Sequence, residues 1–234
     1  MGDFQDVLSA NFQQLFEDVS DLCLPVDGHV AELSEVPSPT AFLRDWYSQN
    51  KPFIVRGAIK DWQAFKQWTP KYFRETFGEK PVTVAVTPDG YADAIAGEYL
   101  ALPEERSMPM AQFLDILEEP SRHNGVFYIQ KQNSNLTDEL PELLNGVPSD
   151  ISWMSEALDK SPDAVNFWMG DGRAVTSLHK DHYENIYCVV RGHKDVTLLP
   201  PASHGCVAVN YWYDMEFDVK FCYYKLLEGL SEAR

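Results

Sequence analysis

The sequence predicts an α+β protein in which helices precede a barrel or jelly roll of short strands. Apolar residues near the N-terminus recur at helical spacing, whereas short apolar or alternating segments follow one another in the second half. Gly and Pro stand between many of these segments, as they do at turns. A run of short strands with such turns after a helical start is typical of barrels and jelly rolls with appended helices.

The first third of the chain is expected to be mainly helical. Apolar residues between Phe4 and Leu22 recur at three- and four-residue steps, which predicts an amphipathic helix that ends near Pro25. A second, short helix is predicted after Pro39, with Thr40 near its cap. The aromatic-rich segment 62–77 also has helical spacing, and we assign it to core packing rather than to catalysis.

The rest of the chain favours strands, with three exceptions. We expect a helix from Met110 to Leu117, a loop rich in Asn, Pro and Glu at 132–152, and a short terminal helix at YYKLLEGL (223–230) that packs or dimerises. Short runs of β-branched and aromatic residues between turn residues predict the strands. The predicted strands are KPFIVRG (51–57), VTVAV (82–86), VFYIQK (126–131), AVNFWM (164–169), VTSLH (175–179), IYCVV (186–190), DVTLL (195–199) and CVAVNYWY (206–213).

Composition narrows the classes of partner. The chain has 36 acidic and 19 basic residues and a formal net charge of -17. Such a field repels nucleic acid and anionic lipid and favours basic proteins as partners or substrates, although a well-solvated acidic surface explains it equally simply. No apolar run approaches the length of a membrane span, and the acidic N-terminus differs from a signal or transit peptide. The four cysteines form no CxxC pair, which suggests reduced thiols in the cytosol or nucleus.

The most informative segment runs from Thr176 to Lys194 and reads TSLHKDHYENIYCVVRGHK. It places His179 and Asp181 two residues apart. On a β-strand such residues point to the same face, so the two side chains can share one metal ion. Imidazole and carboxylate, completed by a second His, form the facial triad of non-haem Fe(II) oxygenases. The pair therefore predicts an iron site.

A second HxD sequence, His193 to Asp195, tests the specificity of this motif. The residues three before, six after and fifteen after His193 are all apolar. The corresponding residues around His179 are polar: Thr176, Asn185 and Lys194. Each of these three has a use at a metal centre that binds an anion, so the first HxD sequence is the predicted site.

The polar residues suit a bound 2-oxo acid. Its keto oxygen and near carboxylate are expected to chelate the metal, while its far carboxylate needs a cation at a fixed distance, which Lys194 supplies. Hydroxyl groups of Thr176 and Tyr128 can hydrogen-bond the same carboxylate. Asn185 and Tyr187 are expected to orient the ligands. Without the neighbouring HxD sequence, ordinary strand packing would be the better interpretation of Tyr128 and Thr176.

Several longer segments resemble the jumonji-C (JmjC) hydroxylases. They are AVNFW (164–168), TSLHKDHYEN (176–185) and AVNYWYDMEFD (208–218), with KPFIVRGAIKDW (51–62), AVTPDGYADA (85–94) and YIQKQNSNL (128–136) upstream. The resemblance covers most of the chain and implies a double-stranded β-helix, which is a cupin-like jelly roll. It further implies that residues 1–120 form an N-terminal helical and strand region that packs on a core formed by residues 121–234.

The resemblance implies an Fe(II)- and 2-oxoglutarate-dependent dioxygenase that hydroxylates lysine in protein substrates. The implied substrates are basic, lysine-containing proteins, namely GTP-binding proteins. An endopeptidase activity on methylated histone tails is implied as well, although the sequence contains no recognisable protease constellation. The resemblance also implies a homodimer in the cytoplasm and nucleus, without direct binding to nucleic acid or to membranes.

By position, the resemblance assigns two residues to the iron and seven to the 2-oxoglutarate pocket. The iron ligands are His179 and Asp181. The pocket residues are Tyr128, Thr176, Lys194, Asn185, Tyr187, Asn210 and Trp212. Of these, Asn210 and Trp212 belong to an Asn-x-Trp strand that closes the pocket.

The chain departs from the family pattern between Lys194 and Asn210, which are only sixteen residues apart. In the family, a longer segment separates these positions and carries further core strands and the distal His ligand. His182, His193 and His204 are poor candidates for the third ligand, because their spacing does not match the family's distal His. The sequence therefore predicts an incomplete β core and an iron site without its third ligand, as in a splice variant or an incomplete gene model.

The sequence leaves three functions open. The first is a 2-oxoglutarate-dependent protein lysyl hydroxylase. The second is a catalytically inactive shortened variant that acts only through binding or dimerisation. The third is a cupin-like metal-binding module without turnover. The first two share every motif described above, and only the missing distal His separates them.

Overall fold

The computed structural model describes most of the chain from residue 29 onwards. The described residues are 10–15, 17–18, 29–92, 94–96, 99–132, 134–179, 181, 183–199 and 224–228. The chain divides into two compact units. The first contains Met1–Ile59, Glu156–Leu158 and His179–Arg234, and the second contains Lys60–Ser155 and Asp159–Leu178. The predicted division at residues 120 and 121 stays a prediction.

The strands are short, as the sequence predicts. They are β1 (Ala31–Leu33), β2 (Phe53–Val55), β3 (Pro81–Thr87), β4 (Tyr91–Ala92), β5 (Ala94–Ala96), β6 (Tyr99–Ala101), β7 (Glu104–Pro109), β8 (Val126–Ile129), β9 (Met169–Gly170), β10 (Val175–Thr176), β11 (Asn185–Val189) and β12 (Tyr224–Glu228).

The α-helices are also short. They are α1 (Pro39–Ala41), α2 (Gln63–Gln67), α3 (Pro70–Phe77), α4 (Met110–Glu118), α5 (Asn135–Asp138) and α6 (Ser152–Leu158). A π-helical turn, Phe42–Tyr47, continues α1, and 3-10 turns span Pro120–Arg122 and Pro141–Gly146. Among the residues that the structure describes, no helix combines the length and apolar character that crossing a membrane requires.

The first unit is built on a sheet with the strand order β1-β2-β12-β11, in which all three strand pairs are parallel. The predicted helix after Pro39 is present, and Ser38 is its N-cap because the Ser38 hydroxyl accepts a hydrogen bond from Ala41 N at 3.3 Å. Phe42 and Phe53 are completely buried, and their ring centroids lie 6.3 Å apart. These aromatic contacts fix α1 against β2.

The second unit contains an antiparallel sheet with the order β7-β3-β8-β9. One face of β3 is closed: Val82 and Val84 are 2% and 0% exposed. The helix α4 belongs to the same core, since Met110 and Phe113 are fully buried. On the other face of β3, Thr83 is half-buried and Ala85 is 7% exposed.

The aromatic-rich segment packs in the core of the second unit, as predicted. Thr69 caps α3 by accepting a hydrogen bond from Tyr72 N at 3.1 Å, and Pro70 follows at the first helical position. Trp68 and Phe73 both contact Phe167, with ring centroids 5.6 and 5.7 Å apart. The segment therefore serves packing, and no catalytic role is needed to explain it.

Several predictions of local structure are confirmed. The strands expected at 51–57, 82–86, 126–131 and 186–190 are present as β2, β3, β8 and β11, and the helix expected from Met110 is α4. Residues 10–15 and 17–18 have helical backbone, in agreement with the predicted N-terminal helix. The predicted strand at 206–213 lies outside the described residues.

Five predictions of local structure are wrong. The loop expected at 132–152 contains α5 and a 3-10 turn, and the strands expected at 164–169 and 175–179 are reduced to β9 and β10. Segment 195–199 has no strand, and the described chain offers its backbone no neighbouring strand. The terminal helix is instead β12, because pairing with β2 and β11 supplies its backbone hydrogen bonds.

Candidate functional site

The structure brings the predicted iron ligands together. His179 Nε2 lies 3.5 Å from Asp181 Oδ1, and their side chains are 38% and 35% exposed. This distance is longer than a typical hydrogen bond between these atoms and close to van der Waals contact. The half-exposed position keeps both groups accessible from solvent.

The two residues do not lie on a strand, which corrects the reasoning that led to them. Both occupy the connection between β10, which ends at Thr176, and β11, which begins at Asn185. The alternation of side chains along a strand therefore does not explain their approach. The approach depends on the path of the connection and on a hydrogen bond from β11.

Asn185 supplies that hydrogen bond. Its Nδ2 atom donates to Asp181 Oδ2 at 2.9 Å. The amide thus engages one carboxylate oxygen, and the other, Oδ1, is the one nearest to His179. Asn185 is anchored at the first residue of β11, and Tyr187 lies two residues further on the same face of that strand. The contact orients the Asp181 carboxylate, and the predicted role of Asn185 towards a metal ligand stays a prediction.

Lys194 and Cys188 lie further along the same unit. Burial lowers the pKa of the half-buried Lys194 ammonium group. A partly desolvated ammonium attracts an anion more strongly than an exposed one. Burial raises the pKa of the Cys188 thiol to about 12, so this thiol stays protonated at neutral pH. Cys188 is therefore not poised as a metal ligand.

Tyr128 and Thr176 belong to the second unit. Tyr128 lies on β8, where it pairs with Ala85 of β3 and with Gly170 of β9. Thr176 is exposed and pairs with Ala92 of β4. The predicted role of Tyr128 and Thr176 towards 2-oxoglutarate stays a prediction.

Sequence reasoning missed two residues, Gly170, which lies against Tyr128, and Asn135, which bonds Phe167. A Cβ atom on Gly170 would lie 2.0 Å from Tyr128 Cδ2, so the aromatic ring rests directly on the glycine. Asn135 is 2% exposed, and its amide accepts from Phe167 N at 2.7 Å and donates to Phe167 O at 2.8 Å. This side chain replaces a strand partner just before β9, which explains why 164–168 are not a strand. Neither role has a signal in the local sequence.

The remaining predicted residues cannot be placed in the same way. Asn210, Trp212, His204 and His182 lie outside the described residues. His193 is described and exposed. Their predicted roles, including the poor fit of the three histidines as third ligand, stay predictions.

The donor pair fits two positions of a metal ion. Two ligand atoms bound at about 2.1 Å from one ion and at right angles to each other are about 3 Å apart. The separation of 3.5 Å between His179 Nε2 and Asp181 Oδ1 is close to this value. Within the described part of the chain, however, no group of three or more His, Cys, Asp or Glu residues is able to hold a metal. The described residues therefore offer a pair of donors suited to a metal ion, and the predicted iron site stays a prediction.

Comparison with known proteins identifies the family. The Cupin-like domain family matches residues 39–206, which is most of the chain. The chain is also 39% identical to the human bifunctional peptidase and (3S)-lysyl hydroxylase JMJD7, over 91% of this chain and 92% of the relative. The chain belongs to the cupin-like family of JmjC proteins. The predicted family and the predicted cupin-like fold class are thereby confirmed.

Other JmjC relatives are longer than this chain. JmjC domain-containing protein E of Dictyostelium discoideum is 35% identical over 86% of this chain and 60% of its own length. Lysine-specific demethylase JMJ32 of Arabidopsis thaliana is 34% identical over 90% of this chain and 64% of its own length. The chain thus spans less than two thirds of either relative.

The alignment with the human JmjC relative contains a large gap. It extends over 293 positions, whereas 91% of the 234 residues of this chain is about 213 residues. About 80 aligned positions therefore have no counterpart in this chain. A gap of this size agrees with the expectation that an internal block is missing between Lys194 and Asn210.

Proposed function

We propose that this JmjC protein is an Fe(II)- and 2-oxoglutarate-dependent oxygenase that hydroxylates lysine side chains in proteins. The single observation that carries the proposal is the approach of His179 to Asp181, whose carboxylate Asn185 holds in place. The activity of the human relative, a (3S)-lysyl hydroxylase 39% identical to this chain, supports the choice of reaction.

The residues of the first unit have separate roles in this proposal. His179 and Asp181 hold the metal, and the Asn185 amide keeps the Asp181 carboxylate in one orientation. Lys194 contacts the far carboxylate of 2-oxoglutarate, for which its half-buried ammonium group is suited. When bound, Fe(II) together with 2-oxoglutarate and dioxygen supplies the oxygen that enters the substrate C–H bond.

The substrates in this proposal are basic proteins. The net charge of -17 attracts lysine-rich segments at long range. GTP-binding proteins and histone tails are the two substrate classes we propose, the second for a peptidase activity like the one in the name of the human relative. We further propose that the protein is a homodimer of the cytoplasm and nucleus.

An anaerobic titration tests the metal site directly. The purified chain is titrated with Fe(II) and 2-oxoglutarate while the visible charge-transfer band of the chelate is recorded. We expect a saturable band that His179→Ala abolishes. The matched control is His193→Ala in the second HxD sequence, which should leave the band unchanged. A band that survives His179→Ala, or no band in folded wild-type chain, would refute the proposed site.

A second function is favoured by two specific observations. About 80 aligned positions of the human relative have no counterpart here, and the described residues supply only two metal ligands. Loss of a ligand weakens metal binding, by about ten- to a hundredfold even for an outer partner. The alternative is therefore a catalytically inactive variant that acts through binding. Mass spectrometry of a lysine peptide after incubation separates the two functions, because only an active enzyme adds an oxygen atom.

A further inference from the structure

A cavity of about 440 Å³ opens on one face of the four-stranded antiparallel sheet. Thr83 and Ala85 of β3 lie at its floor, and Glu105, Gln130 and Lys131 contribute to its walls. Its volume lies in the range of ligand pockets, about 300–1,000 Å³. Polar residues (Thr83, Glu105, Gln130, Lys131 and Gln132) and apolar residues (Ala85, Leu102 and Pro103) both line the cavity, so it suits a ligand that has both characters.

The strand register places this cavity on the same face of the sheet as Tyr128. Glu105 pairs with Ala85, Ala85 pairs with Tyr128, and Tyr128 pairs with Gly170. Directly paired residues of antiparallel strands project to the same face. Gln130 follows Tyr128 by two residues and lines the cavity on that face. The cavity therefore lies beside the residue predicted to contact 2-oxoglutarate.

Most charges around the cavity are compensated. Lys131 Nζ lies 3.3 Å from Glu139 Oε1, and the same carboxylate accepts a hydrogen bond from Thr83 Oγ1 at 2.8 Å. This contact compensates the positive charge of Lys131 at the cavity.

Glu105 is different. Its carboxylate has neither a hydrogen bond nor an ion pair with any residue that the structure describes, and it is exposed at the cavity. Its neighbour Glu104 projects to the opposite face, where it pairs in register with Val86. Among the described residues, Glu105 is thus the one uncompensated charge that lines the cavity. A carboxylate in this position favours a cationic group in the cavity.

We propose that this cavity binds a basic segment of the protein substrate, with the Glu105 carboxylate contacting a lysine or arginine side chain of that segment. The inference rests on the proposed function, which supplies a lysine-containing protein as substrate. Gln130 offers a donor and an acceptor to the peptide backbone. The apolar floor at Ala85 packs against the methylene groups of the basic side chain. The overall charge of -17 brings such segments to the surface, and Glu105 fixes their position.

A peptide-binding experiment tests the assignment without metal or turnover. The probe is a fluorescein-labelled peptide of alternating lysine and glycine, and its binding to the whole chain is measured by fluorescence anisotropy. We expect Glu105→Gln to weaken binding by about three- to fivefold at ~0.1 M salt, as for an exposed ion pair. The difference should vanish near ~1 M salt, where exposed charges are screened. Glu105→Lys should weaken binding further.

Glu104→Gln is the matched control. It removes the same charge from the adjacent residue of β7, but on the opposite face of the sheet. We expect this variant to bind the peptide as the wild-type chain does. Equal losses in the two variants would show that only the general charge attracts the peptide, and would overturn the assignment. Absence of peptide binding by wild-type chain, or binding that Glu105→Gln leaves unchanged, would overturn it as well.

The two proposals fail separately. The charge-transfer band tests the site of His179 and Asp181, whereas anisotropy in the absence of metal tests the cavity. If the charge-transfer band forms but Glu105→Gln leaves peptide binding unchanged, only the cavity assignment is overturned. If no band forms but Glu105→Gln weakens peptide binding, only the enzymatic proposal is overturned. Far-ultraviolet circular dichroism of each variant confirms that the fold is retained, which is expected because Glu105 is exposed.

Discussion

Replacing Asn135 with alanine should destabilise the second unit far more than an ordinary polar substitution. The amide makes two hydrogen bonds, at 2.7 and 2.8 Å, with the backbone N–H and C=O of Phe167. Both residues are buried, with Asn135 2% and Phe167 8% exposed. Truncation therefore leaves a donor and an acceptor without partners, each at a cost of about 1–3 kcal/mol. Because alanine has no polar amide that must be desolvated on folding, part of this cost is offset. We expect the free energy of unfolding to fall by about 2–4 kcal/mol.

Urea unfolding followed by tryptophan fluorescence measures this loss. Trp68 reports on the region, because its ring contacts that of Phe167 at 5.6 Å. With a slope of about 2 kcal/mol per molar urea, the midpoint should fall by about 1–2 M. The slope itself should not change, since the same surface is exposed on unfolding.

Two variants provide the controls. Asn166→Ala removes a hydrogen bond from Ser134 N, 2.9 Å long, at an exposed residue, and should cost less than about 1 kcal/mol. Asn135→Asp keeps an acceptor for Phe167 N but loses the donor to Phe167 O, so it should be nearly as damaging as Asn135→Ala. If Asn135→Ala shifted the midpoint no more than Asn166→Ala, the role assigned to the amide would be refuted.

Three further predictions concern the site. Gly170→Ala should displace the Tyr128 ring and weaken the binding of 2-oxoglutarate, as measured by calorimetry. Gly172→Ala should not weaken it, because a Cβ atom there has nothing within 4 Å, and equal affinities of the two variants would contradict the contact. Lys194→Met should raise the urea midpoint at neutral pH, because burial lowers the folded-state pKa of the Lys194 ammonium group and disfavours its charged form. The stability gained by the variant should shrink as the pH rises through that pKa, and a lower midpoint of the variant at pH 7 would count against this reasoning. Cys188, whose thiol has a pKa of about 12, should resist alkylation by iodoacetamide in the native chain and react after unfolding. Peptide mass spectrometry locates the label, and rapid labelling of the native chain would be inconsistent with the burial of this thiol.

The success of local prediction followed the strength of the local pattern. Strand β3 was predicted from its β-branched residues alone, and the structure buries Val82 and Val84 while Thr83 between them is half-buried. Helix α4 carries apolar residues at helical spacing, and its predicted start at Met110 is correct. In such segments the hydrophobic period and the secondary structure agree, so no distant contact is needed to predict them.

Prediction failed where groups that are distant in the sequence form the hydrogen bonds of the backbone. The segment around Phe167 reads as a strand, but the Asn135 side chain takes the place of a neighbouring strand. The terminal residues Tyr224–Glu228 read as a helix, but they pair with β2 and β11. In both cases the competing partner lies far away in the sequence, and local propensity is too weak to resist it.

The amino-acid sequence was enough to predict the type of chemistry. The residue types and spacing of His179, Asp181, Asn185 and Lys194 indicated a metal centre that binds an anion, and the charge of -17 indicated basic partners. These properties depend on which groups are present, so they can be read without coordinates.

Only the tertiary structure decided how those groups act. It showed that Asn185 engages one oxygen of Asp181 while the other faces His179, and that the pair lies in a connection rather than on a strand. It also placed Glu105 and Tyr128 on one face of a sheet. The physical reason is that the direction of a side chain is set by strand register and by hydrogen bonds between distant segments, which a linear sequence does not specify.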